Sequence, residues 1–415
     1  MMRITIITIG STGDALPYTG LAARLQTDGH EVAIATHAPF EDLVRSRGAD
    51  FRPLPMNMQA ELGSQRGQRA LRTSAAGSTG SIALYVRYWR EMGEAIVRAA
   101  TGADLLLVST LGWQGIHVAE GLKIPSMGVY LQPVDPTGAF PPWMLTQRSL
   151  GRWGNRVAAR TVRNLGQLPF RSATRELRRE LGLAPVGIRE HFAQLEAQRW
   201  PAVYGYSPAV LPAPADWPAW RPVAGFWWPV AEPDWQPPAE LSEFLAAGEP
   251  PVLVTLGSMT PADSEASATS IQQALAATGQ RAIVQSGWAA LGVEADERLL
   301  VVGAVPHDWL FPQVAAVVHH SGAGTTAAGL RAGLPTIPLP LAADQPLWAR
   351  RLVEIGAAPT AIPLPRLDSE RLARAITRAT AEPSFRKRAG QLANQLAAED
   401  GAGVVAEAIA SGRYW

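Results

Sequence analysis

The sequence predicts an α/β protein made of two parallel-sheet domains. Short apolar runs alternate with amphipathic stretches in both halves of the 415-residue chain, a pattern typical of a parallel sheet with helices on its faces. The halves are separated by residues 200–238, which hold ten prolines and six tryptophans. A chain of this length is too long for one hydrophobic core and fits two domains of about 200 residues each.

The N-terminal half contains the first set of alternating elements. Its predicted strands are Arg3–Ile9, Glu31–Thr36, Asp104–Ser109 and Pro125–Tyr130, and its predicted helices are Pro17–Asp28, Ile82–Thr101 and Gly115–Gly121. Residues 144–198 follow, rich in Arg, Ala, Leu and Glu at helical spacing. The first domain is therefore expected to cover residues 1–215.

The proline-rich stretch predicts an extended connector, because proline lacks the N–H donor that a helix needs. We place the linker at 216–240 and the second domain at 241–400. The second set of predicted strands is Val252–Leu256, Ala282–Gln285, Leu299–Val302, Ala316–His319 and Thr336–Leu339. A last helix is predicted over Gly403–Arg413, in a terminal segment 401–415.

Composition excludes several classes of function. Thirty-seven basic residues face 36 acidic ones, so the chain lacks the basic excess that nucleic-acid binding requires. With no cysteine there is no disulfide, thiolate metal site or thiol nucleophile. No run of 18 apolar residues and no signal-peptide pattern occurs, so we expect a cytoplasmic protein without stable membrane anchoring.

Residues 317–345 hold the most specific motif of the chain, VVHHSGAGTTAAGLRAGLPTIPLPLAADQ. An apolar run ends in a small-residue loop at the start of a helix, where backbone N–H groups and the helix dipole favour an anion. The donors are predicted to come from Gly322, Gly324, Thr325 and Thr326. The loop carries no acidic residue and suits a phosphate-bearing ligand, with the pair Asp344-Gln345 placed to hold a polar group attached to it. On spacing alone, a plain βαβ crossover with a capped helix fits equally well.

The loop after the first strand, Gly10–Asp14, has the opposite character. It lacks the GxGxxG pattern, and a pyrophosphate there would meet the Asp14 carboxylate at a cost of roughly 4 kcal/mol at 4 Å. The loop therefore offers a base rather than an anion site. The alternative is that Asp14 only caps a helix that starts near Leu16.

Several segments together resemble the family 1 glycosyltransferases, in particular the bacterial and fungal subgroup of sterol and glycopeptide-antibiotic glycosyltransferases. The segment HHSGAGTTAAGLRAGLPT…P…ADQPLWARR resembles the nucleotide-sugar signature of that family. The further matches, in order along nearly the whole chain, are TIGSTGDALP, PPVLVTLGSM, SGWAALG and VGAVPHDWLFP. The resemblance implies the GT-B fold, with two facing Rossmann-like domains and a C-terminal helix that crosses back to the first domain.

The resemblance also implies roles for individual residues. Asp14 would be the general base that deprotonates the acceptor hydroxyl. The donor diphosphate would be bound by the loop residues already named, together with His320 and Ser258. Because side chains alternate along a strand, His319 should point away from His320 and serve in packing. No DxD triplet is present to hold a metal, and we expect none.

The remaining contacts concern the base, the sugar and the acceptor. Trp288 and the backbone of Val305 match the nucleobase site, and Asp344 and Gln345 match the pair that binds sugar hydroxyls; helix capping is the alternative for that pair. Ala328 stands where plant-type members have a ribose-binding glutamate, which leaves UDP and TDP both open as the donor nucleotide. Trp113 and Trp143 are candidates for an apolar acceptor site, with core packing as the competing interpretation.

The predicted activity is therefore an inverting, metal-independent transfer of a hexose or deoxyhexose. The donor is a UDP- or TDP-sugar, which is a co-substrate, and no cofactor is expected. The acceptor is a hydroxyl of a sterol, glycolipid or polycyclic natural product. The alternatives are a nucleotide-sugar 2-epimerase-like isomerase and a catalytically silent binding protein of the same fold. The chain is expected to be a monomer or homodimer.

Overall fold

The computed structural model describes residues 1–57, 60–61, 78–232, 234–257, 263–287 and 292–412. These residues form two compact units. The first comprises 1–230 together with the segment from Glu399 onward, and the second comprises 231–398.

The first unit is built on a six-stranded parallel sheet. Its strands are β1 (Arg3–Ile7), β2 (Glu31–His37), β3 (Asp50–Leu54), β4 (Leu105–Val108), β5 (Ser126–Tyr130) and β6 (Ala202–Tyr204), arranged in the order β3-β2-β1-β4-β5-β6. Its helices are α1 (Thr12–Thr27), α2 (Glu41–Arg45), α3 (Ser78–Ala100), α4 (Gln114–Leu122), α5 (Gly151–Gly166), α6 (Arg171–Glu180) and α7 (Ile188–Ala197). The strand order reverses between β1 and β4, and parallel α/β sheets bind ligands beyond the carboxyl ends of the strands at such a reversal.

The second unit repeats this design with five parallel strands. They are β7 (Val252–Thr255), β8 (Ala282–Gln285), β9 (Leu299–Val302), β10 (Ala316–His319) and β11 (Thr336–Pro338), in the order β11-β10-β7-β8-β9. The helices are α8 (Ala239–Ala246), α9 (Ser264–Thr278), α10 (His307–Leu310), α11 (Ala323–Arg331), α12 (Gln345–Glu354), α13 (Ser369–Ala381) and α14 (Pro383–Ala397). Here the order reverses between β7 and β10, so the loops after these two strands lie at the expected ligand edge.

The predicted connector is partly built into the first unit. Strand β6 lies within the proline-rich stretch and pairs in parallel with β5, and Tyr204 also bridges to Val223. Trp227 is 2% exposed and belongs to the same core as Leu21 and Leu25 of α1. The division between the units falls after Val230, inside the predicted linker 216–240, and apolar side chains of the stretch before it reach the first core.

The final helix, α15 (Gly401–Ser411), belongs to the first unit although it follows the whole second unit in sequence. Val405 and Ile409 are buried in the core that contains β1, and the indole N–H of Trp227 donates to the Gly401 carbonyl at 3.1 Å. Arg24 of α1 pairs with Asp400 at 2.6 Å. No helix of the described residues has the length and apolar character needed to cross a bilayer.

Candidate functional site

Asp14 is fixed at the start of α1, in the loop that follows β1. The helix begins at Thr12, earlier than predicted, because Ser11 is its N-cap and Asp14 closes a capping box from the third helical position. One carboxylate oxygen of Asp14 accepts the Ser11 N–H at 2.8 Å and the Ser11 hydroxyl at 3.1 Å. Asp14 is thus not the N-cap residue, and its carboxylate has a second acceptor oxygen beyond the one bound to Ser11.

Gly10 and His37 shape the loop around this carboxylate. Gly10 adopts a φ of +144°, and a Cβ there would overlap the Asp14 carboxyl group. The Gly10 N–H donates to Nε2 of His37 at 3.3 Å, while Nδ1 of His37 lies 2.8 Å from the Pro55 carbonyl oxygen. The carbonyl can only accept, so His37 carries its proton on Nδ1 and is neutral, and burial lowers its pKa.

The pKa of Asp14 is raised from its ordinary value. Burial is the largest cause, and hydrogen bonds from Ser11 and Gln132 oppose it. Gln132, which follows β5, also accepts the Thr110 hydroxyl at 3.2 Å from the loop after β4. Loops at the ends of three adjacent strands therefore converge on one carboxylate whose pKa is shifted toward neutrality, the property that a general base requires.

Trp113 and Trp143 are both half-buried in the first unit. The Trp113 ring lies 5.1 Å from the ring of Trp89 and 6.2 Å from that of Phe170, centroid to centroid. The indole N–H of Trp143 donates to the Pro133 carbonyl at 3.2 Å. Both indoles have contacts within the unit, and their contact with an acceptor stays a prediction.

The second unit has an open helix N-terminus after β10, a strand that also borders the strand-order reversal of its sheet. Helix α11 begins after Gly322, whose extended backbone is the N-cap, and no described side chain caps it. Its first turn contains no acidic residue. Thr325 is 8% exposed and Thr326 is fully buried, whereas Gly324 is exposed. The N–H groups of this first turn remain our predicted donors to an anion, except that of Thr326, which donates to the Gly322 carbonyl at 2.9 Å.

His320 is held between two glycines at this edge of the sheet. A Cβ on Gly257, which follows β7, would lie 2.7 Å from the imidazole Cε1, and a Cβ on Gly322 would lie 2.5 Å from Nε2. Gly257 has a φ of +57°, and its carbonyl would be overlapped by a Cβ on Gly287 after β8. Burial lowers the pKa of His320 to about 4, so the ring is neutral at pH 7, and a bound anion would favour its protonation.

His319 turns to the interior. It is fully buried, its Nδ1 accepts the Ser321 N–H at 3.1 Å, and burial lowers its pKa to about 3. The hydrogen bond fixes the loop at Ser321, where φ is +66°. His319 therefore holds the loop in shape, and His320 is the histidine next to the helix N-terminus.

The residues predicted to contact the sugar and the base form hydrogen bonds within the second unit. Oε1 of Gln345 accepts the N–H groups of Leu341 and Ala342, at 2.8 and 3.2 Å. Asp344 precedes α12, and its carboxylate accepts the Trp348 indole N–H at 2.6 Å. The Val305 carbonyl accepts from Nε2 of Gln285 at 3.0 Å. Their contacts with the sugar-nucleotide donor remain predictions. Ser258 and Trp288 lie outside the described residues.

Three residues that contact these two loops from the ends of other strands were not identified from the sequence: His37, Gln132 and Gly257. The sequence did contain an indication for Gly257, since a glycine directly after a predicted buried strand often allows close approach of the backbone. His37 and Gln132 are polar residues at the ends of strands other than β1, and nothing local connects them with Asp14. Within the described residues, no three His, Asp or Glu side chains gather as a metal site.

Two parallel-sheet units, each with a βα loop at the reversal of its strand order, form the architecture of the GT-B glycosyltransferases. Residues 4–140 match the glycosyltransferase family 28 N-terminal domain, and residues 293–410 match the C-terminal domain of erythromycin biosynthesis protein CIII-like proteins. The solved glycosyltransferase VinC in complex with DTDP has the same fold, with a TM-score of 0.65 over 98% of both chains at 22% identity.

Two curated relatives match almost the whole chain. A sterol 3-beta-glucosyltransferase of Arabidopsis thaliana is 33% identical over 98% of this chain and 68% of its own length. The O-mycaminosyltylonolide 6-deoxyallosyltransferase of Streptomyces fradiae is 34% identical over 96% of this chain and 95% of its own. The chain spans only 30% of a sterol 3-beta-glucosyltransferase of Emericella nidulans. The protein belongs to this glycosyltransferase family of sterol and antibiotic enzymes.

Proposed function

We propose that this glycosyltransferase transfers a hexose or deoxyhexose from a UDP- or TDP-sugar to a hydroxyl of an apolar small molecule, with inversion and without a metal. The observation that carries the proposal is the Asp14 carboxylate, which lies at the strand-order reversal of the first sheet with a raised pKa. A carboxylate tuned in this way is suited to accept a proton from an alcohol during the reaction.

The reaction is a single displacement. The acceptor oxygen forms a bond to the anomeric carbon while the bond from that carbon to the diphosphate oxygen breaks, and the hydroxyl proton passes to Asp14. Because the pKa of an alcohol far exceeds that of a carboxyl group, proton transfer occurs as the new bond forms and not before it. Attack from the side opposite the leaving group inverts the configuration.

The leaving diphosphate carries the developing negative charge. The N–H groups at the start of α11 and the imidazole of His320 supply donors that are fixed before the reaction begins, so little reorganisation is needed. Asp344 and Gln345 remain our candidates for the sugar hydroxyls, and Trp288 and Val305 for the base. VinC was solved in complex with DTDP, which is consistent with a thymidine diphosphate as one of the two proposed nucleotides.

The acceptor class is proposed from the relatives. Their names describe transfer to a sterol and to O-mycaminosyltylonolide. Trp113 and Trp143 present half-buried indoles in the same unit as Asp14. We therefore propose a ring-containing, largely apolar alcohol as the acceptor.

The first test is a thermal-shift panel with UDP, TDP, GDP and ADP, followed by transfer assays with the matching glucose conjugates. Selective stabilisation by UDP or TDP supports the donor site. Product formation that is unchanged in EDTA supports transfer without metal. No stabilisation by any nucleotide would contradict the proposal, and release of a rearranged sugar in the absence of acceptor would favour the epimerase alternative.

A further inference from the structure

An exposed apolar surface surrounds the start of helix α5 in the first unit. Trp153 is 80% exposed, Met144 and Leu145 are about equally exposed at 61% and 60%, and Leu150 is 50% exposed. Val157, one turn after Trp153, is 40% exposed. Exposed apolar side chains this close together are unusual on a protein surface and mark an interaction site.

The residues on α5 share one side of the helix. Leu150 precedes the helix and is fixed there by the Asn155 carboxamide, which accepts the Leu150 N–H at 2.8 Å. Leu150, Trp153 and Val157 are spaced three and four residues apart, so they form a continuous stripe. Asn155 is the buried residue of this helix and lies on the opposite side.

A row of arginines runs beside the apolar stripe. Arg152, Arg156 and Arg160 are four residues apart and therefore also lie on one side of the helix. Arg156 pairs with Asp216 at 2.5 Å, whereas Arg152 and Arg160 are exposed and form no ion pair within the described part of the chain. No acidic residue occurs anywhere from residue 136 to residue 175. Within this segment the surface thus combines aliphatic and indole side chains with positive charge only, and Asp216 from another segment is paired with Arg156.

We propose that this α5 surface, defined by Met144, Leu145, Leu150, Trp153, Val157, Arg152 and Arg160, binds reversibly to the surface of an anionic phospholipid bilayer. An interfacial helix of this type inserts Trp and aliphatic side chains at the level of the headgroups, while its arginines contact lipid phosphates. The charge of one sign favours a lipid surface over a soluble partner of mixed charge. Such binding is peripheral and needs no membrane-spanning helix.

The surface is continuous along the chain with the proposed active site. The segment that starts at Gln132, which is bonded to Asp14, passes through Trp143 and then carries Met144 and Leu145. A bilayer bound to this surface would bring lipid-dissolved alcohols to the unit that holds Asp14. This last point rests on the proposed function, whereas the binding itself does not.

The test is flotation of the purified protein with vesicles, which needs no enzyme activity. One set of vesicles contains three parts phosphatidylcholine to one part phosphatidylglycerol, and the other only phosphatidylcholine. We expect binding to the anionic vesicles at low salt and its loss at about 1 M salt, where the Debye length is about 3 Å. Trp153→Ser should weaken binding about tenfold. The pair Arg152→Gln and Arg160→Gln should weaken it about 25-fold and remove the preference for anionic lipid.

The controls are surface variants away from α5. Leu122→Ser, at a position 37% exposed at the end of α4, and Arg366→Gln should bind as the wild type does. Circular dichroism and the thermal midpoint show that each variant is folded. No binding to anionic vesicles, or equal binding by the α5 variants, would overturn the proposal. A dimer that Trp153→Ser converts to monomer, with no vesicle binding, would also overturn it and identify the surface as a contact between two copies of the chain.

Discussion

The loops after β1 and β10 both border the strand-order reversal of their sheets but have opposite chemistry. Each connects a strand at the strand-order reversal to a helix of its own unit. In the first unit, Asp14 turns its carboxylate back to the start of its own helix and accepts the Ser11 N–H. In the second, Gly322 is the N-cap and no acidic residue follows in the first turn.

The comparison shows how one residue decides the use of a βα loop. In the proposed function, a carboxylate at the third helical position accepts the N–H of the N-cap residue and serves as a base, whereas a loop without it leaves its first-turn N–H groups for an external anion. Both loops are otherwise supported alike. A buried neutral histidine accepts a loop N–H in each, His37 from Gly10 and His319 from Ser321.

The largest expected effect is the removal of the base. Asp14→Asn should lower kcat by about 10³-fold, because general-base catalysis contributes roughly 10²–10⁴-fold. Asparagine can still accept the Ser11 N–H, so the fold and the nucleotide affinity should be retained. Steady-state kinetics and calorimetric titration with UDP and TDP measure the two quantities.

The matched control for this change lies at the other end of α1. Asp28→Asn removes a carboxylate that is paired with Arg24 at 3.2 Å and should leave kcat unchanged. Equal activity of the Asp14 variant and the wild type would contradict the role of base.

The second change would give the β10 loop the character of the β1 loop. Gly324 is exposed, and a Cβ there has no neighbour within 4 Å, so Gly324→Asp adds a carboxylate without steric conflict. We expect the Kd of the nucleoside diphosphate to rise about 100-fold through charge repulsion. The thermal stability should be unchanged or slightly higher, because an acidic residue near a helix N-terminus contributes about 0.3–1 kcal/mol.

Gly324→Asn is the neutral control of the same shape. It should cost far less affinity than the aspartate. If the two variants lose affinity equally, the effect is steric and the proposed anion site is wrong.

The third prediction tests the two supporting histidines through pH. Their folded pKa is lowered, so the unfolded chain takes up the proton first as pH falls below about 6.5. Stability is therefore complete above that pH and declines below it, by about 1.4 kcal/mol per pH unit for each histidine; for His319 the decline continues to about pH 3. In His319→Asn the amide oxygen can accept the same N–H. This variant should reduce the slope of the free energy of unfolding against pH by the contribution of one proton. Urea unfolding at several pH values measures the slope, and an unchanged slope would contradict the assignment.

The smallest expected effect concerns the hydrogen bond that holds Asp14. Gln132→Leu removes a bond that lowers the pKa of Asp14, so that pKa should rise. Activity requires the ionised carboxylate, and the acid limb of kcat/KM should therefore move to higher pH. Thr110→Val, which removes only the support of Gln132, should produce a smaller shift. A pH profile identical to that of the wild type would show that Gln132 does not tune the base.

The apolar pattern of the sequence was sufficient to predict the strands that precede the two loops. Each of β1, β7 and β10 is a short apolar run that ends at a glycine or histidine turn, and burial on both faces leaves little else for such a run to form. The predicted start of α1 at Pro17 is wrong, because the Ser11–Asp14 capping box begins the helix at Thr12. Strand β6 was not predicted, because the three residues that form it lie in a proline-rich stretch.

The rest of the site depends on contacts that no local pattern encodes. His37 reaches Gly10 because β2 lies beside β1, and Gln132 reaches Asp14 because the ends of β1, β4 and β5 meet at one edge. The same holds for Gly257, whose lack of a Cβ makes room for His320 from a different strand. Such pairings follow from strand order, which the sequence did not specify.

Because α15 belongs to the first unit, that unit is complete only after the second unit has been synthesised. Residues from Glu399 onward are made after the whole second unit, yet they supply Val405 and Ile409 to the core beside β1. A nascent chain therefore leaves the α1 surface of its first unit uncovered while the second unit is being translated. Segment 1–230 made alone would keep that apolar surface, and we expect it to aggregate unless residues 399–412 are supplied in trans.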